Sequence, residues 1–363
     1  MITVCEKNQC TGCMACMNVC FKNAIEIRDD ISSYNAVIDE SKCIKCGACY
    51  KICQINTDLN LEKPIFWKQG WANDEKIRKT SSSGGLASAI ELAFIKSGGV
   101  VCSCKFDNGE FIFSIAESEE EVKKFSGSKY VKSNLKDIYI KIKEKLNEGI
   151  KVLFVGLPCQ VSAVKKFITN QENLFTIDLI CHGTPSPKTF KYFVANNKCE
   201  LKAAKEVTFR DGMIYRVKVD EALFAPSNTN DCYSYAFLNS TIFTENCYHC
   251  KYAGFSRVSD LTLGDSWGTN LEIQEQKKGI SLALAQNSKG IFLLENSPLV
   301  LFDVDVKQAK KHNRQLNAPS KMPEQRKQFF YLLKSSKNFK YAFRKCFPKK
   351  YIKVKIKQLI KIA

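Results

Sequence analysis

The sequence predicts two folded units of different class and a basic C-terminal tail. The first is a small α+β unit organised by clustered cysteines; the second is a larger α/β body with a mixed or parallel sheet. Three observations predict this. Eight of the 18 cysteines fall in two identically spaced runs within the first 53 residues. From Pro64 to about residue 320, short apolar strands alternate with amphipathic helical stretches, the pattern of a sheet covered by crossover helices. From Lys321 onward the chain carries 14 Lys and Arg against the single acid Glu324, which is +13 of the chain's net charge of +18.

The first element is residues 1–57. Its runs are Cys10, Cys13, Cys16, Cys20 and Cys43, Cys46, Cys49, Cys53, both C-x-x-C-x-x-C-x-x-x-C, repeating at a period of 33 residues. No secretory signal precedes them, and no apolar run approaches the roughly 18 residues that cross a bilayer. These features predict a cytoplasmic chain, where thiols stay reduced and clustered cysteines hold metal rather than disulfides. The spacing is that of a ferredoxin-like domain with two 4Fe-4S clusters, in which the fourth cysteine of each run crosses to the other cube. One cube then takes Cys10, Cys13, Cys16 and Cys53; the other takes Cys43, Cys46, Cys49 and Cys20. Gly12 and Gly47 allow backbone amides to approach the clusters. Ala24–Ile27 and Ala36–Ile38 read as a covering hairpin. The proline that follows the fourth cysteine in such domains is Phe21 in one half and Gln54 in the other, a change that removes no ligand. Zinc would favour paired C-x-x-C knuckles over triplet spacing. A unit this small also needs its metal to fold.

Residues 56–64 read as a linker, and the body is taken as 64–149 and 150–320. Ser81–Gly85 opens a helix, Leu86 to Lys96, which stops at Gly98-Gly99. Val100–Lys105 and Glu110–Ala116 are strands joined at Asp107-Asn108-Gly109. Helices follow near Ser118–Phe125 and Leu135–Asn147. Lys151–Val155 and Leu174–Ile180 are apolar strands of the kind buried in a parallel sheet, with a helix from about Gln160 to Ile168 between them. A further helix begins at Ser186-Pro187. Ala203–Val219 folds as two strands about Asp211-Gly212, and Leu261-Thr262-Leu263 is another strand.

Ten cysteines lie outside the two runs. Cys159 and Cys181 sit just past the C-terminal ends of the two apolar strands, where open α/β sheets place their ligands. Cys247 and Cys250 form a C-x-x-C. Together these four suit a third tetrahedral site, for zinc or for an iron-sulfur cluster. Cys5, Cys102, Cys104, Cys199, Cys232 and Cys346 read as ordinary thiols.

Several short motifs occur in a characteristic order. They are Ser82-Ser83-Gly84-Gly85, Gly127-Ser128-Lys129-Tyr130-Val131, Gly156-Leu157-Pro158-Cys159-Gln160, Cys181-His182-Gly183, Phe209-Arg210, Cys247-x-x-Cys250 with Tyr252-Ala253, and Asp260-Leu261-Thr262-Leu263-Gly264-Asp265-x-Trp267-Gly268. Asn317 and Arg326 stand in a late segment of the same kind. Over residues 1–330 the chain resembles the beta subunit of coenzyme F420-reducing hydrogenases and dehydrogenases, preceded by a ferredoxin domain. The resemblance implies a flavin, FAD or another, and a third 4Fe-4S cluster held by Cys159, Cys181, Cys247 and Cys250. Candidate flavin contacts are Ser82, Ser83, Gly84, Gly85, Gly127, Ser128, Lys129 and Tyr130, because a helix start offers amides and dipole to a pyrophosphate. Lys129, His182 and Arg210 are the catalytic candidates; Lys129 and Arg210 would hold an anionic group.

The function this implies is an iron-sulfur flavoprotein oxidoreductase. Ferredoxin, as electron-donor protein, would feed the clusters, the clusters a flavin, and the flavin an organic substrate, in surface-polysaccharide biosynthesis by analogy with bacterial relatives. The alternative acceptor is coenzyme F420 itself. A chain that only carries electrons is a further alternative. A zinc-stabilised nucleic-acid binder would explain the charge, but the first 320 residues are only +5, so no nucleic acid is expected. The tail, 321–363, mixes Lys with Phe329, Phe330, Leu333, Phe339, Phe343 and later Ile352, Ile356, Leu359 and Ile360. It reads either as a contact with the inner membrane surface or as helix packed on the body.

Overall fold

The computed structural model describes residues 2–57, 60–226 and 229–360, with side chains to Lys357. Asp58 and Leu59 of the expected linker, and the side chains of Leu359 and Ile360, lie outside the described residues. The first unit is a hairpin, β1 (Ile25–Asp29) and β2 (Tyr34–Ile38), antiparallel with Ile25 opposite Ile38. Each cysteine run carries one short helix, Ala15–Val19 or Ala48–Ile52. Both helices start from a left-handed residue, Met14 (φ 64°) and Gly47 (φ 74°), which turns the chain sharply enough for three cysteines to face one point.

The body is built on one mixed eight-stranded sheet. Its strands are β3 (Phe66–Ala72), β4 (Val100–Asp107), β5 (Glu110–Ala116), β6 (Val152–Gly156) and β7 (Leu174–Leu179). A separate three-stranded sheet takes β8 (Val207–Asp211), β9 (Ile214–Val219) and β10 (Ala222–Leu223). The large sheet then ends with β11 (Leu261–Asp265), β12 (Ser281–Ala285) and β13 (Leu299–Phe302), in the order β13-β3-β12-β11-β7-β6-β4-β5. The four central strands β4, β6, β7 and β11 are parallel, and antiparallel strands flank them on both sides. Both sequence-defined parts of the body therefore share one sheet.

Strand β6 shows why the centre is buried on two faces. Val152 and Phe154 pack with helices Ile138–Asn147 and Pro158–Phe167 on one side. Leu153 and Val155 pack with Leu86–Lys96 and Ser288–Glu295 on the other. The period-2 alternation thus serves two apolar layers.

A second lobe gathers β8–β10 with helices Pro187–Ala195 and Cys232–Leu238 around aromatic side chains. The segment expected as a separate basic tail belongs to this lobe. Helices Gln325–Ser336 and Phe339–Cys346 bury Phe329, Phe330, Leu333, Phe339 and Phe343 in its core, so the apolar residues outweigh the charge that surrounds them. Among the described residues no helix is long and apolar enough to cross a membrane.

The first unit is seated on both parts. Tyr139 donates to the Cys13 carbonyl at 2.5 Å, and Lys132 to the Thr11 carbonyl at 2.9 Å. From the second lobe, Ser186 donates to Asp29 at 2.6 Å and Arg326 to the Ser32 carbonyl at 2.8 Å.

Candidate electron-transfer and cofactor sites

The two cysteine runs fold into the crossed sets that their spacing predicts. Cys10, Cys13, Cys16 and Cys53 line one cavity, and Cys20, Cys43, Cys46 and Cys49 line another. Equivalent amides serve equivalent sulfurs. Gly12 N–H donates to Cys10 Sγ and Lys45 N–H to Cys43 Sγ, each at 3.4 Å. Such donors raise the reduction potential of a bound cluster. Gly12 is required for space as well as conformation, since a Cβ there would lie 2.7 Å from the Tyr34 ring. Cys5, read as an ordinary thiol, lines the same cavity as the first set.

The fold brings the four distant cysteines together. Cys159 follows β6 and Cys181 follows β7, so adjacent parallel strands deliver both to the same sheet edge. Cys247 and Cys250 reach it from the 3-10 turn Glu245–His249. All four line a cavity of about 510 Å³. Burial pushes the Cys159 thiol well above its ordinary value and Cys181 up to about 12. Repulsion among the four adds to this, and Lys132 opposes it. Buried thiols that repel one another are stabilised as thiolates only by cationic metal, which is what this donor set suits. Thr184 N–H donates to Cys247 Sγ at 3.4 Å. The buried pair Arg257–Asp178, at 2.8 Å, braces the end of β7 beside this cavity.

Gln54 ties the first unit to this centre. It occupies the place of the expected proline, is buried, and donates to the Cys159 carbonyl at 2.5 Å and to Thr11 Oγ1 at 3.1 Å. It also accepts from the Tyr252 hydroxyl. The departure flagged in the sequence is therefore a bridge between the first cysteine set and the core set.

A second cavity, of about 260 Å³, lies against the core thiols. Ser82, Ser83, Gly85, Gly127, Ser128, Lys129 and Tyr130 line it, as do His182 and Arg210. Gly84 lies behind the wall, where a Cβ would be 2.3 Å from the Gly70 carbonyl oxygen. The two loops are joined by Ser128 N–H donating to Ser82 Oγ at 2.8 Å. Helix Leu86–Lys96 starts at Gly85 (φ 84°) with no side-chain cap, so its first amides are left for a ligand. Tyr130 stacks on Phe237 with ring centroids 4.5 Å apart.

The two candidate cations are not simply available to an anion. Lys129 donates to the Phe125 and Ser126 carbonyls at 2.5 and 2.9 Å, and burial lowers its affinity for a proton. Arg210 is paired with Asp265 at 3.0 Å and lies 4.9 Å from the Tyr215 ring centre. Among the described residues its buried Nε has no partner, which leaves one donor for a ligand. Burial lowers the proton affinity of the His182 imidazole, and its carbonyl accepts from Ser320 at 2.8 Å. Glu91, which the sequence reading passed over, also lines the cavity; burial pushes it up to about 8.

Leu157, Cys181, His182, Gly183 and Thr184 line both cavities. One stretch of chain therefore separates the core thiols from the cofactor-sized pocket. Amides, hydroxyls, an aromatic face and a spare guanidinium N–H suit a ligand with a planar ring and an anionic group.

Comparison with known proteins agrees with this partition. Residues 9–57 match the family described as 4Fe-4S dicluster domain. Residues 68–138 match the N-terminal family, and residues 149–297 the C-terminal family, of the coenzyme F420 hydrogenase/dehydrogenase beta subunit. A chain in a solved structure of the F420-reducing NiFe hydrogenase complex from Methanosarcina barkeri shares the fold. It is 19% identical with a TM-score of 0.51, over 72% of this chain and 93% of that one. No curated relative matches.

Proposed function

The chain belongs to the coenzyme F420 hydrogenase/dehydrogenase beta-subunit family and carries a 4Fe-4S dicluster domain, and on that premise we propose that it passes single electrons through three cubes to a flavin, with coenzyme F420 as the two-electron partner. The chain is an iron-sulfur subunit of the oxidoreductase type. The family matches favour coenzyme F420 over an unidentified organic substrate such as a surface-polysaccharide precursor.

The observation that carries this reading is the shared wall, Cys181 to Thr184, between the core thiols and the second cavity. Together with the Gln54 bridge, it sets four sites in series. They are the Cys20/Cys43/Cys46/Cys49 set, the Cys10/Cys13/Cys16/Cys53 set, the core set, and the pocket. A flavin, when bound, supplies the exchange between one-electron and two-electron chemistry. The protein's residues do the rest. Amides at the start of helix Leu86–Lys96 and the Ser82 loop orient an anionic group. Tyr130, Phe113 and Phe237 exclude water from the pocket. Asp265 holds Arg210 in place with its Nε toward a ligand. An electron-donor protein such as ferredoxin would serve the outer cubes.

The test is anaerobic purification with iron, sulfide and flavin analysis, followed by mixing the reduced protein with oxidised F420. About twelve irons per chain, one flavin and bleaching of the F420 absorbance are expected. About eight irons would remove the core cube from the scheme. An unchanged F420 spectrum would overturn the assignment of the acceptor.

A further inference from the structure

Four cysteines surround the outer cluster position, and one of them, Cys46, is exposed, whereas Cys10, Cys13 and Cys16 of the inner set are buried. The protein surface around Cys46 is unusual for a charged chain. Phe21 is 69% exposed, Ile44 55% and Tyr50 59%, although each could pack inward in a unit so poor in core. Phe21 and Ile44 share the cavity wall with Cys20, Cys43, Cys46 and Cys49. Tyr50 follows Cys49 directly. The exposed side chains of Lys22, Lys45 and Lys51 border these aromatics and form no ion pair among the described residues. Of the nearby acids, Asp39 is already paired with Lys42, at 3.3 Å, and the exposed Glu40 leaves the three lysines in excess.

We propose that this face is the docking surface for an acidic, one-electron iron-sulfur protein. The proposal rests on the electron-relay reading above and names its point of contact. Three features argue for this occupant. The exposed ligand brings the outer cube within reach of a partner's centre. The apolar centre with an unpaired basic rim has the layout of a small electrostatically steered interface. The weak, fast-dissociating encounters of redox proteins bury less than about 1,200 Å², so a face built on a few exposed side chains serves them. The chemical step is simple: the partner's cluster loses one electron, the outer cube gains it, and no bond or proton moves. Asp and Glu on the partner would face Lys22, Lys45 and Lys51.

The experiment is anaerobic stopped-flow mixing of the oxidised chain with a reduced acidic two-cluster ferredoxin, following the bleaching of the cubes. The parent rate should fall steeply with added salt, because steering by exposed charges is screened. Tyr50→Ser combined with Lys51→Glu, neither of which lines the cluster cavity, should lower the second-order rate by roughly tenfold or more at low salt. Reduction by dithionite should keep its parent rate, and the iron content should be unchanged. If the double variant loses iron, Lys51→Glu alone decides, since that side chain is solvated and touches no ligand. A variant reduced by ferredoxin at the parent rate, or a parent rate indifferent to salt, overturns the proposal. So does a variant that loses self-association and nothing else, which would give the face to a second copy of the chain. None of these readouts depends on the flavin or on F420, so a failure of the acceptor assignment remains distinguishable.

Discussion

Glu91 shows what a single residue can hide. In the sequence it is one polar position in an apolar helix, between Ile90 and Leu92, and no motif marks it. In the fold it is 3% exposed, lines the second cavity, and feels the charge of Lys129. Burial favours the neutral acid, raising the value to about 8 from the ordinary 4.5. The sign follows. Below the ordinary value both folded and unfolded states hold the proton, and stability is complete. As pH rises from there to about 8 the unfolded chain ionises first, so the folded state loses up to about 5 kcal/mol. Glu91→Gln removes that loss. Its melting temperature should approach or exceed the parent's above pH 8 and show no such advantage at pH 5. Parallel melting curves across that range would mean that Glu91 is ionised in the folded protein. The neighbouring candidates were legible in kind and not in partner. Lys129 and Arg210 do line the pocket, but only the fold shows the carbonyls and the Asp265 carboxylate that engage them.

At the scale of elements, legibility followed the strength of the pattern. The hairpin β1–β2 and strands β4 to β7 are continuous or alternating apolar runs with turn residues beside them, and they form near where the sequence places them. Strands β3, β12 and β13 were missed. Phe66–Ala72 is interrupted by Lys68, Gln69 and Gly70, and its identity comes from pairing with residues more than 200 positions away. The sequence leaves the C-terminal helices between a membrane-surface contact and a helix packed on the body for a related reason. Their charge is local and visible, while the aromatic core that receives them is assembled from Phe190, Phe193, Tyr233 and Phe243. Phe339 lies 5.3 Å from Phe193 and 5.3 Å from Phe329, ring centre to ring centre. Phe339→Ala should therefore cost about 3–5 kcal/mol in chemical denaturation, the usual range for emptying a buried phenyl position. Ile352→Ser, at a residue 56% exposed, should stay within about 0.5 kcal/mol. Equal effects of the two would return this segment to the status of an appendage.

At the scale of the molecule, the eight ferredoxin cysteines were legible because each set is local. The core set was read from four cysteines in short motifs, but how they meet was not, because Cys159, Cys181 and the Cys247–Cys250 pair are separated by 22 and 66 residues. Parallel strands β6 and β7 close the first gap by placing their C-terminal ends side by side, and the chain returning from the second lobe closes the other. The result is a series in which the core set stands between the dicluster unit and the pocket, and this arrangement can be cut at one point. Cys247 is buried and receives hydrogen bonds from Thr184 on the shared wall. Cys247→Ser should reduce the iron content from about twelve to about eight per chain, leaving both outer cubes in place. Reduced ferredoxin should still bleach those cubes at the parent rate, because the docking face and the Gln54 bridge are untouched. Electrons should then go no further, and neither a flavin nor added F420 should be reduced above background. A variant that keeps eight irons and full transfer would show that the core cube lies off the route, with electrons crossing from the inner ferredoxin cube directly to the pocket. A variant that loses all iron would make the core set the keystone of the dicluster unit's folding, against the order of sites drawn here.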